Sequence, residues 1–261
     1  MGKRQWFLLA IGFLFAGLIY FAFDIRPPES EERDRVRLMN ASTTSEEVLI
    51  RDGLKILDKN VQSEIRALGM GLREAKNAED SIQLYKQLSG SWYAVNNAVI
   101  AGLYAEKVAE LEQSAASWGI AGTTFALASK KEQSNSKEQL YAIERSRSAF
   151  ESAISLDPEE VDYRVNLAVT YADFPPKDNP MQGIQSLLAL SRNYPDHAGV
   201  LYQLGRFGLQ TGQYEKAIGR LEKVIKMEPD RRNAYCLLVE AYEQIGNIEK
   251  ARQARVKCEQ D

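Results

Sequence analysis

One set of residue types returns at a spacing near 34 residues through the carboxyl-terminal half of the chain. Its clearest copy spans 198–231 and consists of Leu201, Leu204, Gly205, Gly212, Tyr214, Ala217, Leu221, Val224 and Pro229. Spacings of three and four residues place the apolar members before Gly212 on one face of a first helix. The apolar members after Gly212 lie on one face of a second helix. Gly212 permits a tight turn, and Pro229 cannot continue the second helix. The pattern predicts a helical hairpin that stacks on its own copies, an architecture that builds binding surfaces.

Three further copies surround this one. The copy at 232–261 keeps the spacing of 34, whereas those at 161–197 and 115–160 are stretched by inserted residues. Prolines 175, 176 and 180 exclude a helix in the first insertion, so 174–180 is predicted to be a loop. The second insertion is the polar segment 130–137. The insertions are therefore predicted to lengthen turns without interrupting the stack.

The last predicted helix has a narrow apolar stripe and a polar remainder. Its stripe consists of Ile248, Ala251, Ala254 and Cys258. A terminal repeat has no neighbour over its outer side, so a polar surface is expected there.

These motifs resemble the tetratricopeptide-repeat family. Trp118, Ala121, Gly122 and Phe125 fit the opening signature of that repeat, and the second half of the 198–231 copy fits its close. The resemblance implies an all-α fold, a right-handed solenoid of antiparallel helix pairs. It divides 115–261 into four units, which are 115–160, 161–197, 198–231 and 232–261. Upstream, the region 45–114 is predicted to be helical, with one degenerate hairpin at 78–113.

The amino-terminal segment 6–23 contains no charged residue over eighteen positions. A helix of that length spans about 27 Å, close to the thickness of a bilayer core. Lys3 and Arg4 precede it, which favours a cytoplasmic amino terminus. We therefore predict a transmembrane signal anchor at 1–23, in a single-pass protein of the bacterial inner membrane whose repeat domain is periplasmic. A cleaved signal peptide or a buried core helix are the alternatives.

Residues 24–44 are charged and contain Pro27 and Pro28, so they are predicted to be a linker. Ser45 is predicted to cap a single helix over 45–76, with Glu46 and Glu47 in its first turn.

Composition and residue chemistry argue against several functional classes. With 33 basic and 36 acidic residues the net charge is −3, which does not favour nucleic-acid binding. His197 is the only histidine and is expected to be an ordinary polar residue at a helix start. Cys236 and Cys258 match no metal-binding spacing, and an expected offset along their hairpin predicts two buried thiols. We predict no catalytic, cofactor-binding or metal-binding residues, and therefore no enzyme.

The remaining prediction is binding. The resemblance implies that the first helix of each unit lines a concave surface, where residues not used in packing contact a protein or peptide partner. The candidates are Thr123, Leu127, Val165, Val169, Asp173, Tyr202, Arg206, Leu209, Asn233, Glu240 and Glu243. The loop containing Phe174, Pro175 and Pro176 is a second candidate surface.

The leading hypothesis is a membrane-tethered scaffold that binds such a partner outside the cytoplasm, in envelope biogenesis or quality control. The alternative is a homo-oligomerising scaffold in which helix 45–76 pairs with its copy. A third class, an enzyme with an unrecognised site, would require a deep polar pocket with perturbed acids.

Overall fold

The computed structural model describes residues 46–260, and these fold into helices and their connections. The twelve helices of this part of the chain are α1 Glu46–Lys55, α2 Lys59–Glu74, α3 Ala78–Ala94, α4 Ala98–Glu112, α5 Ala115–Lys131, α6 Lys137–Leu156, α7 Val161–Asp173, α8 Gln182–Asn193, α9 Ala198–Gln210, α10 Tyr214–Met227, α11 Arg232–Gln244 and α12 Ile248–Glu259. The anchor and linker predicted for 1–44, and the predicted cap Ser45, lie outside the described residues. Among the helices from Glu46 onward, none combines the length and apolar character needed to cross a membrane.

From α2 onward, consecutive helices pack against each other, and apolar clusters lie between them. Leu187 and Leu221 are fully buried in two of these clusters, as their helical spacing predicts. The helices of the α9–α10 and α11–α12 pairs are joined by turns in which Gly212 and Gly246 have positive φ angles of 71° and 74°. The prediction of an all-helical stack is confirmed.

Side-chain caps explain where several of the helices begin. An acceptor on the residue before the helix binds a backbone N–H of the first turn, which would otherwise lack a partner. Caps of this kind are provided by Asp58, Asn77, Asn97, Ser114, Ser136, Glu160, His197 and Asn247. The expectation that His197 is a polar helix-start residue is confirmed, because its Nδ1 accepts from the N–H of Val200 at 3.3 Å.

The prediction of one helix over 45–76 is wrong. The helix ends at Lys55, and a new helix begins at Lys59 after Asp58, whose carboxylate accepts from the N–H groups of Asn60 and Val61. Periodicity alone could not reveal this break, since apolar residues continue on both sides of it. The chain here consists of two helices, both of which pack against the apolar cluster around Trp92 and Ile100.

The first of them, α1, packs against helices distant in sequence. A Cβ added to Gly53 would lie 2.6 Å from Cδ1 of Ile100, so a larger residue here would force the Ile100 side chain to shift. At the start of α1, Glu46 accepts a 3.2 Å bond from Arg145 of α6, whose guanidinium also binds buried Glu106. Burial raises the pKa of the Glu106 carboxyl, while the charge of Arg145 opposes that rise. These contacts fix α1 on the first part of the stack.

The expectation of two free thiols in the last pair is also wrong. Cys236 and Cys258 form a disulfide, with their Cα atoms 4.9 Å apart. Because α11 and α12 are antiparallel, the beginning of α11 lies beside the end of α12. The apparent offset in sequence is therefore the spacing that brings the two residues together.

The packing of α12 also differs from the predicted stripe. Ala251 and Ala254 are buried, but Ile248 is 68% exposed and does not pack. Ile218 and Leu221, which are buried in α10, correspond 34 residues later to the charged residues Arg252 and Arg255. Two positions that are buried and apolar in α10 are therefore charged in α12, and Arg255 pairs with Glu243 of α11.

A hydrogen bond between the last two pairs gives a pH-dependent prediction. The hydroxyl of Tyr242 donates to Glu222 at 2.6 Å, and Lys250 donates to the same oxygen at 3.1 Å. The Tyr242 bond is the main reason why the pKa of Glu222 lies below its ordinary value of 4.5. A carboxyl with a lowered pKa contributes stability that is complete above the unfolded value and is lost as the pH falls through the folded value.

We therefore expect Tyr242→Phe to lower the free energy of unfolding by about 1 kcal/mol at pH 7, since Glu222 is partly solvated. The deficit should be constant above about pH 5 and should shrink below 4.5. Urea unfolding of both proteins between pH 3 and 7 measures it. A deficit that grows toward acid pH would contradict this account.

Candidate functional site

The candidate binding surface is formed by α5, α7, α9 and α11, the first helices of the four units. Each of these helices contacts the next one in the series. We call their solvent-facing side the first-helix face. It contains side chains that are not required between the two helices of a pair.

Nine of the eleven predicted contact residues keep some exposure. Thr123, Asn233, Glu240 and Glu243 are exposed, whereas Leu127, Val169, Asp173, Tyr202 and Arg206 are half-buried. Val165 and Leu209 are only 2% and 6% exposed. Both belong to the apolar clusters, Val165 between α7 and its neighbours and Leu209 beside α10, so the prediction that they contact a partner is corrected.

Three charged side chains on this face form ion pairs that connect three helices. Asp173 of α7 lies 2.8 Å from Nζ of Lys130 of α5 and 3.0 Å from Nη2 of Arg206 of α9. The Asp173 side chain is only 12% exposed, so its charge is stabilised mainly by these two cations. Arg206 also donates to Gln203 and lies 4.0 Å above the ring of Phe207. We call Lys130, Asp173 and Arg206 the charge ladder.

The sequence showed Asp173 and Arg206 as candidates but not as a pair, and it did not show Lys130. Lys130 lies in α5, at a position assigned from sequence to the inserted turn. Lys130 and Asp173 are 43 positions apart, so a search at the repeat spacing does not find their contact. Only the added helical turn of α5 brings the amine to the carboxylate.

We expect Asp173→Asn to lower the free energy of unfolding by about 1–2 kcal/mol, because two cations lose their shared anion. Partial exposure of Lys130 keeps the loss below that of a fully buried pair. The matched control is Asp178→Asn in the exposed loop after α7, which should change stability by less than about 0.5 kcal/mol. Urea unfolding followed by circular dichroism measures both. Equal stability of the two variants would show that the charge ladder does not stabilise the stack.

Guanidinium groups also lie above aromatic rings within two of the units, 161–197 and 198–231. Arg231 lies 4.3 Å above the ring of Tyr202, and Arg164 lies 5.3 Å above that of Tyr194 and donates to its hydroxyl at 3.1 Å. Tyr202 is thus partly covered within the chain. A partner that uses Tyr202 would have to share it with Arg231.

The second candidate surface, the loop 174–181, is tied to the stack at its beginning. Nη2 of Arg147 in α6 donates to the carbonyl of Phe174 at 2.5 Å and to that of Thr170 at 3.3 Å. Its guanidinium also lies 4.0 Å above the ring of Tyr171. A cation at the end of α7 is favoured by the helix dipole. Phe174 is half-buried, whereas Pro175, Pro180 and Met181 are exposed.

We also considered grooves and possible metal sites elsewhere in the described residues. An open groove between α1 and α2 is lined by Glu47, Ile50, Arg51, Leu54, Lys55, Gln62 and Arg66. Between residues 46 and 260, no three His, Cys, Asp or Glu side chains converge in a way that would hold a metal ion.

Comparisons with known proteins give one family and several solved structures. Residues 208–254, from α9 into α12, match the model of the tetratricopeptide repeat. A crystal structure of MamA protein is 18% identical, with coverage of 68% of this chain and 89% of that chain and a TM-score of 0.42. For MamA 41-end from Desulfovibrio magneticus RS-1 the identity is 17%, the coverages are 68% and 92%, and the TM-score is 0.43.

A third structure is YrrB, described as a TPR protein with an unusual peptide-binding site. It is 19% identical, with coverage of 74% of this chain and 91% of that chain and a TM-score of 0.38. No curated protein is similar enough to match. The chain therefore matches a tetratricopeptide repeat at 208–254, and those residues lie within an all-helical stack.

Proposed function

We propose that this protein is a binding scaffold, not an enzyme, and that it holds a peptide or protein partner on its first-helix face. The matched family binds such partners. The observation that carries the proposal is that this face combines the charge ladder, in which one carboxylate pairs with two cations, with exposed side chains that have no role in packing. The ladder fixes the spacing of α5, α7 and α9, so the face is ordered before a partner binds, which lowers the entropic cost of association.

The proposal is tested with the full-length chain carrying a photocrosslinker beside Tyr202. Thr123→Arg places a long cation on the first-helix face, whereas Ser148→Arg makes a matched change on an exposed position of α6. We expect one crosslinked partner to be lost in Thr123→Arg and retained in Ser148→Arg. Equal recovery with both variants would overturn the assignment of this face.

We further propose that residues 6–23 tether the scaffold to a bacterial inner membrane, with the repeats in the periplasm. The uncharged segment and its basic flank support the tether. The Cys236–Cys258 disulfide supports an oxidising compartment, since disulfides persist there and are rare in the cytosol. A role in envelope biogenesis or quality control follows from that location.

Topology is tested with a reporter fused after Asp261 that is active only outside the cytoplasm. We expect the reporter to be active. We also expect Cys236 and Cys258 to be oxidised in cells whose thiols are protonated with acid before lysis. A cytoplasmic reporter and free thiols would refute the proposed location. The hypothesis of self-pairing through one helix at 45–76 is not retained, because Asp58 divides that segment.

A further inference from the structure

The first-helix face changes in chemistry from one end to the other. At α5 it is uncharged, since no residue from 115 to 129 carries a charge. Ile120 is 63% exposed there, and Thr123 and Leu127 follow at spacings of three and four residues. The Thr123 hydroxyl donates to the carbonyl of Gly119 at 2.8 Å, which leaves its methyl group to solvent.

The neighbouring helix extends this apolar surface. A Cβ added to Gly119 would lie 2.6 Å from the ring of Tyr163 in α7, so the ring rests directly on α5. We call Ile120, Thr123, Leu127 and Tyr163 the apolar end. Ile120 and Thr123 are exposed, whereas Leu127 and Tyr163 are half-buried. A contiguous apolar surface that reaches solvent is more common at an interaction site than on an inert surface.

The opposite end, at α11, contains two exposed carboxylates, Glu240 and Glu243, besides Arg232 at the start of the helix. Glu243 is bound to Arg255 of α12. Between the two ends, Asp173 pairs with both Lys130 and Arg206. Among the charged residues of α11, Glu240 is therefore the exposed carboxylate that a cationic partner can reach.

The distance between the ends sets the length of a partner. Three helix-to-helix steps separate α5 from α11, and packed helices lie about 8–10 Å apart, so the ends are about 27 Å apart. An extended chain rises about 3.3 Å per residue, so about eight residues span that distance.

We propose that the partner is an extended segment with aliphatic side chains at one end and basic side chains about eight residues away. This inference rests on the proposed function and specifies its ligand. The aliphatic groups are buried at the apolar end, and the basic groups pair with Glu240. Apolar burial provides most of the affinity, whereas the charges choose the partner and its register.

The probes are fluorescein-labelled peptides in which Ile-Val and Lys-Lys are separated by Gly-Ser spacers of four, eight or twelve residues. A fourth peptide has the eight-residue spacer and Glu-Glu in place of Lys-Lys. Fluorescence anisotropy with the full-length chain should show tightest binding for the eight-residue Lys-Lys peptide and about tenfold weaker binding of the Glu-Glu peptide. That preference should decrease at high salt.

Substitutions at the two ends of the face test which end binds which part of the peptide. Glu240→Lys should reverse the preference between the Lys-Lys and Glu-Glu peptides, and Ile120→Asp should weaken all four. The controls on α6 are Glu151→Lys and Leu140→Asp, both at exposed positions, which should change neither result.

Two outcomes would separate this inference from the proposed function. In the first outcome, the peptides bind, Thr123→Arg weakens their binding, and the affinity does not depend on charge or spacing. This outcome would overturn the inference about the ligand but would leave the proposed binding face in place. Absence of binding together with a crosslinked partner that is insensitive to Thr123→Arg would overturn both.

Discussion

Replacing Gly183 by alanine should lower the free energy of unfolding by about 3 kcal/mol, the upper part of the range for overpacked cores. Gly183 is buried at the start of α8, where a Cβ would lie 2.2 Å from the backbone N of Ala172 and 2.5 Å from the carbonyl O of Ala168. Both atoms belong to the backbone of α7, which cannot rotate away as a side chain can. The α7–α8 pair would have to separate and disturb the packing of Leu187.

The control is Gly219→Ala, a glycine inside α10 with no atom within 4 Å of the added Cβ. Alanine is favoured over glycine inside a helix by about 1 kcal/mol, so this variant should be more stable than the wild type. The two variants should change the free energy of unfolding in opposite directions, which separates the effect of steric contact from that of helix propensity. Urea unfolding gives both values, and hydrogen exchange should place the Gly183→Ala loss in 161–193. A stabilised Gly183→Ala protein would show that α7 and α8 do not approach as closely as described.

Reducing the Cys236–Cys258 disulfide should lower the stability of the last pair by about 3 kcal/mol, the value for a closed loop of roughly this length. The loss should be concentrated in α12, because only Ala251 and Ala254 of its twelve residues are buried. Each unit of a stack contacts mainly its neighbours, so α5–α8 should be unaffected. Hydrogen exchange of 248–259 with and without a reducing dithiol measures the effect.

The double variant Cys236→Ser, Cys258→Ser is the control for effects of the dithiol other than reduction of this disulfide. Without reductant it should exchange in α12 as fast as the reduced wild type, and adding dithiol should change it no further. Unchanged exchange in the reduced wild type would mean that Tyr242, Glu222 and Lys250 hold α12 without the disulfide.

Much of the fold was predictable because it depends on local patterns. Leu221 and Ala217 are buried in a helix at the expected spacing, and Gly212 adopts the positive φ expected of its turn. Prolines 175 and 176 lie in a connection between helices, as their chemistry requires. These features involve neighbours three to eight residues apart, which a single sequence displays directly.

The candidate site was less predictable because its residues depend on contacts between units. Val165 and Tyr202 occupy related places in their helices, yet one is buried and the other half-exposed. The need for glycine at position 183 appears only when α7 lies against it. Equivalent repeat positions therefore differ in burial.

The sequence by itself determined a stack of helical hairpins, since the 34-residue pattern satisfies the helical period and the turn chemistry at once. It also indicated an uncharged amino-terminal segment and the first helices as the surface for binding. Tertiary structure alone decided the break at Asp58, the disulfide between Cys236 and Cys258, and the Lys130–Asp173–Arg206 ladder. The physical reason is that antiparallel packing and inserted turns bring together residues whose separations, 22 and 43 positions, follow no repeat.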